Sequence, residues 1–144
     1  MITHRIALSG LTQTEAMIGR TPRVASFKKT AQRPKRSSMT DIEIAPQEVE
    51  QMRKSGADLV LIDVREPWEY DAARIEGSIL IPMRQVPQRA REIPAGKPVV
   101  VHCHHGVRSL QVVHWLRQNG VEARNLSGGI DRWSVEIDPN VPRY

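Results

Sequence analysis

From residue 39 onward, short apolar runs alternate with stretches whose apolar residues recur three or four positions apart. Ile42-Glu43-Ile44 reads as a short strand. Pro46 suits the first turn of a helix, and Gly56 supplies its stop. Leu59 to Val64 is β-rich and apolar, the pattern of a buried strand. Ser78 to Ile81 predicts a third strand, ended by Pro82. Met83 to Ile93 predicts a helix that Pro87 shortens or kinks. Val99 to His102 predicts a fourth strand, and Val107 to Asn119 the clearest helix. There Val107, Leu110, Val113, Trp115 and Leu116 recur at helical spacing, and Gly120 provides the stop. Glu122 to Leu126 predicts a fifth strand, which leads through Ser127-Gly128-Gly129 into a short helix carrying Trp133. Strand–helix alternation at this spacing predicts an α/β fold: a central parallel sheet of about five short strands, flanked by helices on both faces.

Residues 1–38 show no such period. They hold Arg5, Arg20, Arg23, Lys28, Lys29, Arg33, Lys35 and Arg36 against a single acid, Glu15, while residues 39–144 hold 13 basic and 15 acidic residues. The basic character of the 144-residue chain (net charge +5) therefore belongs to its first segment. A disordered leader over 1–38 and one domain over 39–144 are the expected organisation. The leader is Arg-rich, carries Ser and Thr, and lacks the apolar stretch of a secretory signal. It reads as an organelle-targeting segment, a polyanion-binding arm, or an idle extension from an upstream start, since Met39 opens a run that looks like a domain start. The body, with slightly more acid than base, is not expected to bind nucleic acid. The longest apolar run, Leu59-Val60-Leu61-Ile62, is far short of the roughly 20 residues a membrane helix needs. No membrane association is expected, and a cytoplasmic location is, unless residues 1–38 direct the chain to an organelle.

The single cysteine excludes an internal disulfide and any multi-cysteine metal site. Ligands of parallel α/β sheets bind beyond the carboxyl ends of strands, where a loop enters a helix. One place meets that rule with reactive residues: the strand Val99–His102 runs into Cys103-His104-His105-Gly106-Val107-Arg108-Ser109. The helix that follows leaves backbone N–H groups free in its first turn and adds its dipole. Gly106 lets the loop curl its amides inward, and Arg108 adds a permanent charge. All three favour a thiolate over a thiol, and a bound anion. The bland alternative is a cysteine that only packs.

Three other chemistries fit less well. His102, Cys103, His104 and His105 suggest a metal site, but neighbours in a strand point to opposite faces, and His114 stands alone on its helix. A cysteine hydrolase needs a base with an orienting partner, which is not evident here. Cysteine phosphatases and arsenate reductases place five residues between Cys and Arg. Cys103 and Arg108 have four between them, a smaller anion pocket that suits a phosphoryl group poorly.

At these residues the sequence resembles the rhodanese (sulfurtransferase) family, specifically its single-domain members. Leu61-Ile62-Asp63-Val64-Arg65-Glu66-Pro67-Trp68-Glu69-Tyr70 looks like the family's Asp-x-Arg signature. Cys103 to Arg108 looks like its six-residue active loop, Cys-x-x-Gly-x-Arg, followed by Ser109. Leu126 to Trp133 looks like its Gly-Gly-x-x-x-Trp element. The stretch Ala73-Arg74-Ile75-Glu76-Gly77-Ser78 departs from the Gly-His-Ile-Pro-Gly-Ala of many members and is expected to alter local loop shape only. The resemblance implies a rhodanese-like fold and a sulfurtransferase of the thiosulfate type. Cys103 would be its catalytic nucleophile, carrying sulfur as a persulfide. His104, His105, Gly106, Val107, Arg108 and Ser109 would line the substrate and persulfide site, with Ser109 either bonding the sulfur or capping the helix. Neither a metal nor an organic cofactor is expected. The expected partners are a small anionic sulfur donor and, as acceptor, cyanide, a thiol or a sulfur-carrier protein. The competing expectation is a docking or sulfur-relay module that acts only within a protein assembly. Asp63, Arg65 and Glu66 are expected to act structurally, Trp68 and Trp133 as core or cover, and Gly128-Gly129 as a turn.

Overall fold

The structure, a computed structural model, describes residues 41–144. The leader expected over residues 1–38 lies outside the described residues. Twelve short elements follow in chain order: β1 (Glu43–Ile44), α1 (Pro46–Lys54), β2 (Val60–Asp63), α2 (Pro67–Ala72), β3 (Ile79–Leu80), a 3-10 turn (Met83–Gln85), α3 (Val86–Arg89), a second 3-10 turn (Ala90–Glu92), β4 (Val99–His102), α4 (Val107–Gln118), β5 (Ala123–Leu126) and α5 (Gly129–Glu136). The five strands pair in the order β1-β5-β4-β2-β3, and every pairing is parallel. The register sets Asp63 beside His102 and Val101 beside Asn125.

Alternation along the strands sorts the core into two layers, as a sheet covered on both faces requires. Val60, Ile62, Val99, Val101 and Ala123 face one side and meet Val86 of α3 with Val112, Val113 and Leu116 of α4. Leu61, Val100 and Leu126 face the other and meet Val49 of α1 with Ile130 and Trp133 of α5. The helix-on-both-faces expectation is met.

Four local expectations change. Met83 to Ile93 forms no single helix; two 3-10 turns flank the four-residue α3. Pro87 lacks an N–H and is accommodated in a helix's first turn, so α3 begins at Val86 with the proline as its second residue. The third strand shrinks to Ile79–Leu80, because Ser78 turns back and bonds the carbonyl of Ile75 through both its amide and its hydroxyl. Val107 is 68% exposed at the start of α4 and lies outside the apolar stripe. Trp68, 64% exposed, is not core, whereas Trp133 is buried.

Candidate active site

Cys103 directly follows β4, and Gly106 caps α4 in the left-handed region at φ +99°. That conformation, open to glycine, aims the Gly106 N–H back at Cys103, where it donates to Sγ at 3.1 Å. Among the described residues, Gly106 N–H is the backbone amide bonded to this sulfur. Cys103 is 1% exposed and also borders the apolar layer under α4.

The loop is held from behind by α5. The first-turn amides of a helix have no intrahelical partners. Here the N–H groups of Ile130 and Asp131 donate to the carbonyls of Cys103 (2.9 Å) and His104 (3.1 Å). Gly129 stands between, at φ +61°, where a β-carbon would overlap both carbonyls. The Gly128-Gly129 pair thus does more than turn the chain. It lets a helix end clasp the cysteine loop.

Ser109, in the first turn of α4 and fully buried, places Oγ 2.5 Å from Asn125 Oδ1 and 3.3 Å from Cys103 Sγ. Asn125 of β5 points its Nδ2 at the Gly106 carbonyl (3.1 Å) and the Glu43 carboxylate (3.0 and 3.1 Å). Ser109 therefore touches the sulfur and lies beyond the capping position. Asn125 is not singled out by the sequence; its signal is a polar residue at an inward position of β5, between the buried Ala123 and Leu126.

The permanent charge expected of Arg108 is paired. Its guanidinium grips Glu69 of α2 through two bonds of 2.8 Å. That fork holds the Glu69 carboxyl down to about 2, and Glu69 in turn holds Arg108 above the ordinary arginine value. The backbone N–H of Glu66 and the hydroxyl of Tyr144 also donate to Glu69, at 2.9 Å each. Tyr144 accepts from Arg65 at 2.7 Å, and Arg65 forms a fully buried ion pair with Asp63. Asp63 and Arg65 thus serve structure, as expected: the guanidinium also ties down the carbonyls of Ala73 (2.6 Å) and Glu69 (3.3 Å). Glu66 caps α2 in a reciprocal box with Glu69.

His104 and His105 stack at 4.1 Å, and Tyr144 stacks on His104 at 4.4 Å. Burial, and then the neighbouring His105, keep His104 below the usual histidine value. His105 Nδ1 stands 4.0 Å from Asp131. His102 is fully buried, 3.9 Å from Asp63, with neither ring nitrogen hydrogen-bonded among the described residues. His114 is exposed. Val107, the remaining residue expected at the site, turns outward. Among the described residues no group of three or more His, Cys, Asp or Glu side chains is placed to hold a metal ion, and no helix is long and apolar enough to cross a membrane. The arrangement as a whole offers a buried sulfur with one amide and one hydroxyl against it, and a guanidinium–carboxylate fork alongside.

Comparison with known proteins gives this arrangement its context. The family model for the rhodanese-like domain matches residues 45–136. An uncharacterized protein of Bacillus subtilis, YqhL, is 42% identical over 89 residues, which span 61% of this chain and 71% of that protein. A sulfurtransferase of Allochromatium vinosum is 36% identical over 93 residues, spanning 64% of this chain and 87% of its own. The crystal structure of a rhodanese-like domain protein from Staphylococcus aureus superposes with a TM-score of 0.63 at 27% identity, covering 71% of this chain and 97% of that one. With a parallel five-stranded sheet and a matching domain over most of the described residues, the chain belongs to the rhodanese-like family.

Proposed function

We propose that the protein is a sulfurtransferase that carries sulfane sulfur on Cys103. The carrying observation is the hydrogen bond from Gly106 N–H to Cys103 Sγ, at 3.1 Å, in a loop between β4 and α4. A fixed amide dipole at that place stabilises negative sulfur without reorganising. Membership of the family and a sulfurtransferase among the relatives support the general reading.

The donor in the proposed reaction is thiosulfate or a similar anion. The Cys103 thiolate attacks the outer sulfur; the donor's sulfur–sulfur bond breaks and its electron pair leaves on sulfite. The new bond leaves a persulfide whose outer sulfur is negative. Arg108, 37% exposed, draws the anion in and steadies the departing sulfite while Glu69 fixes the guanidinium in place. A thiol, cyanide or a sulfur-carrier protein then attacks the outer sulfur, and the electron pair of the protein's S–S bond returns to Cys103. Two half-reactions through one covalent intermediate give ping-pong kinetics. The single unpaired cysteine suits a reducing compartment such as the cytoplasm.

One observation favours a relay within an assembly as the second reading: at 1% exposure, Cys103 needs local opening before a donor reaches it, and a protein partner could supply that opening. Incubation with thiosulfate followed by intact mass measurement tests both. A gain of one sulfur, removed by reductant and absent in Cys103→Ser, supports the free enzyme. An unchanged mass overturns it and leaves the relay.

A further inference from the structure

Ser109 has one hydroxyl proton and two neighbours that could take it. The identity of the second neighbour decides where it goes. The Asn125 amide group is fixed from its other end, because Nδ2 faces only acceptors: the Gly106 carbonyl and both oxygens of Glu43. Its Oδ1 must therefore be the atom facing Ser109. An amide oxygen cannot donate, so a 2.5 Å contact between it and a hydroxyl carries the serine proton. The sulfur, at 3.3 Å, then meets a lone pair of Ser109 Oγ rather than its hydrogen.

We propose that Asn125 is a positioning residue that withholds the Ser109 proton from Cys103. With its proton turned to Asn125 Oδ1, Ser109 accepts from the Cys103 thiol and opposes the thiolate. The hydroxyl can turn to the sulfur anion only by leaving a buried Oδ1 without its donor. Gly106 N–H is thus the committed donor to the sulfur, and the Ser109–Asn125 pair holds back its charge until a donor or persulfide occupies the site. This inference concerns the ionisation of Cys103 and deepens the sulfurtransferase reading; the mass measurement above and the titration below can fail independently.

The charged groups near the site are not themselves replaced in the test, although Glu43 loses the Asn125 donor in both single and double variants, so the comparison with Ser109→Ala present separates the two effects. Those groups are Arg108 of α4, His104 of the loop, His102 of β4, Asp63 at the end of β2 with the adjacent Arg65, Glu69 of α2, Tyr144 beyond α5, and Glu43 of β1 reached through Asn125. Because the chain has one cysteine, thiolate absorbance in the ultraviolet, corrected with Cys103→Ser, reports this group alone. Asn125→Ala frees the hydroxyl and should move the titration midpoint down by about one pH unit. The shift should vanish when Ser109→Ala is also present. Asn125→Leu, with the same branching and no polar atom, tests the same point should the smaller residue unfold β5. Ser109→Ala alone should lower the midpoint slightly or leave it in place, since the hydroxyl turns a lone pair and not its proton to the sulfur. An unchanged or higher midpoint on losing Asn125, a shift that survives loss of Ser109, or a rise of about one unit in Ser109→Ala would overturn the assignment.

Discussion

Replacing Glu69 by Gln removes the charge on which four donors converge: Arg108 through two bonds, the Glu66 amide and the Tyr144 hydroxyl. The glutamine keeps one oxygen but turns the other position into a donor facing donors. The structure sets the size of the effect. Arg108 holds the Glu69 carboxyl near about 2, against 4.5 for a free glutamate side chain. At about 1.4 kcal/mol per pH unit, that depression corresponds to roughly 3 kcal/mol. The Arg108 side chain is 37% exposed, so water screens its attraction, and about 1–2 kcal/mol is the expected contribution. The folded value lies below the unfolded one. The contribution is therefore complete above about 4.5 and fades as the pH falls toward about 2. Urea unfolding at a series of pH values gives the assay. The wild-type and Glu69→Gln stabilities should differ by about 1–2 kcal/mol at pH 7 and converge on acidification through that window. Surface carboxylates titrate alike in both proteins and cancel in the difference. Curves that stay parallel from neutral to strongly acid pH would refute the reasoning, because the fork would then contribute nothing tied to the charge.

His102 makes a prediction in a separate window. Burial holds it below the ordinary 6.5, so the unfolded chain takes up the proton first. Stability linked to it is full above about 6.5 and declines as the pH falls from there; His102→Leu should lack that decline, read by the same urea series. Gly129→Ala should cost at least about 2 kcal/mol, since the left-handed backbone and the carbonyls of Cys103 and His104 both oppose a β-carbon. Thermal unfolding checks it, and a wild-type melting curve would show that α5 does not clasp the loop. Arg108→Ala should raise KM for thiosulfate about five- to tenfold and leave a neutral donor nearly unaffected, with steady-state kinetics on both donors as the measure. Equal changes would remove its electrostatic role.

Periodicity carried the sheet. Leu59 to Val64 and Val99 to His102 are apolar on both faces, which only a strand between two helical layers requires, and both became central strands. The clearest helix also appeared at its expected place, within one residue. The cysteine loop was legible because chain order puts Cys103, Gly106 and Ser109 within seven residues, between a strand and a helix. Proline chemistry is legible in kind only: Pro87 predicts a shortened or kinked helix, but not that the helix starts one residue before it.

Amino-acid order by itself determined the strand–helix alternation, and with it the place where a cysteine meets a helix start, because burial on two faces and turn chemistry act over neighbouring residues. Tertiary structure alone decided what that cysteine meets. Arg108 is matched to Glu69, Ser109 to Asn125, and the loop carbonyls to the amides of α5, across separations from 16 to 39 residues for the side-chain pairs. Hydrogen bonds and ion pairs act over a few ångströms of space. Which groups come that close is fixed only when the parallel crossovers bring distant strand ends to the same edge of the sheet.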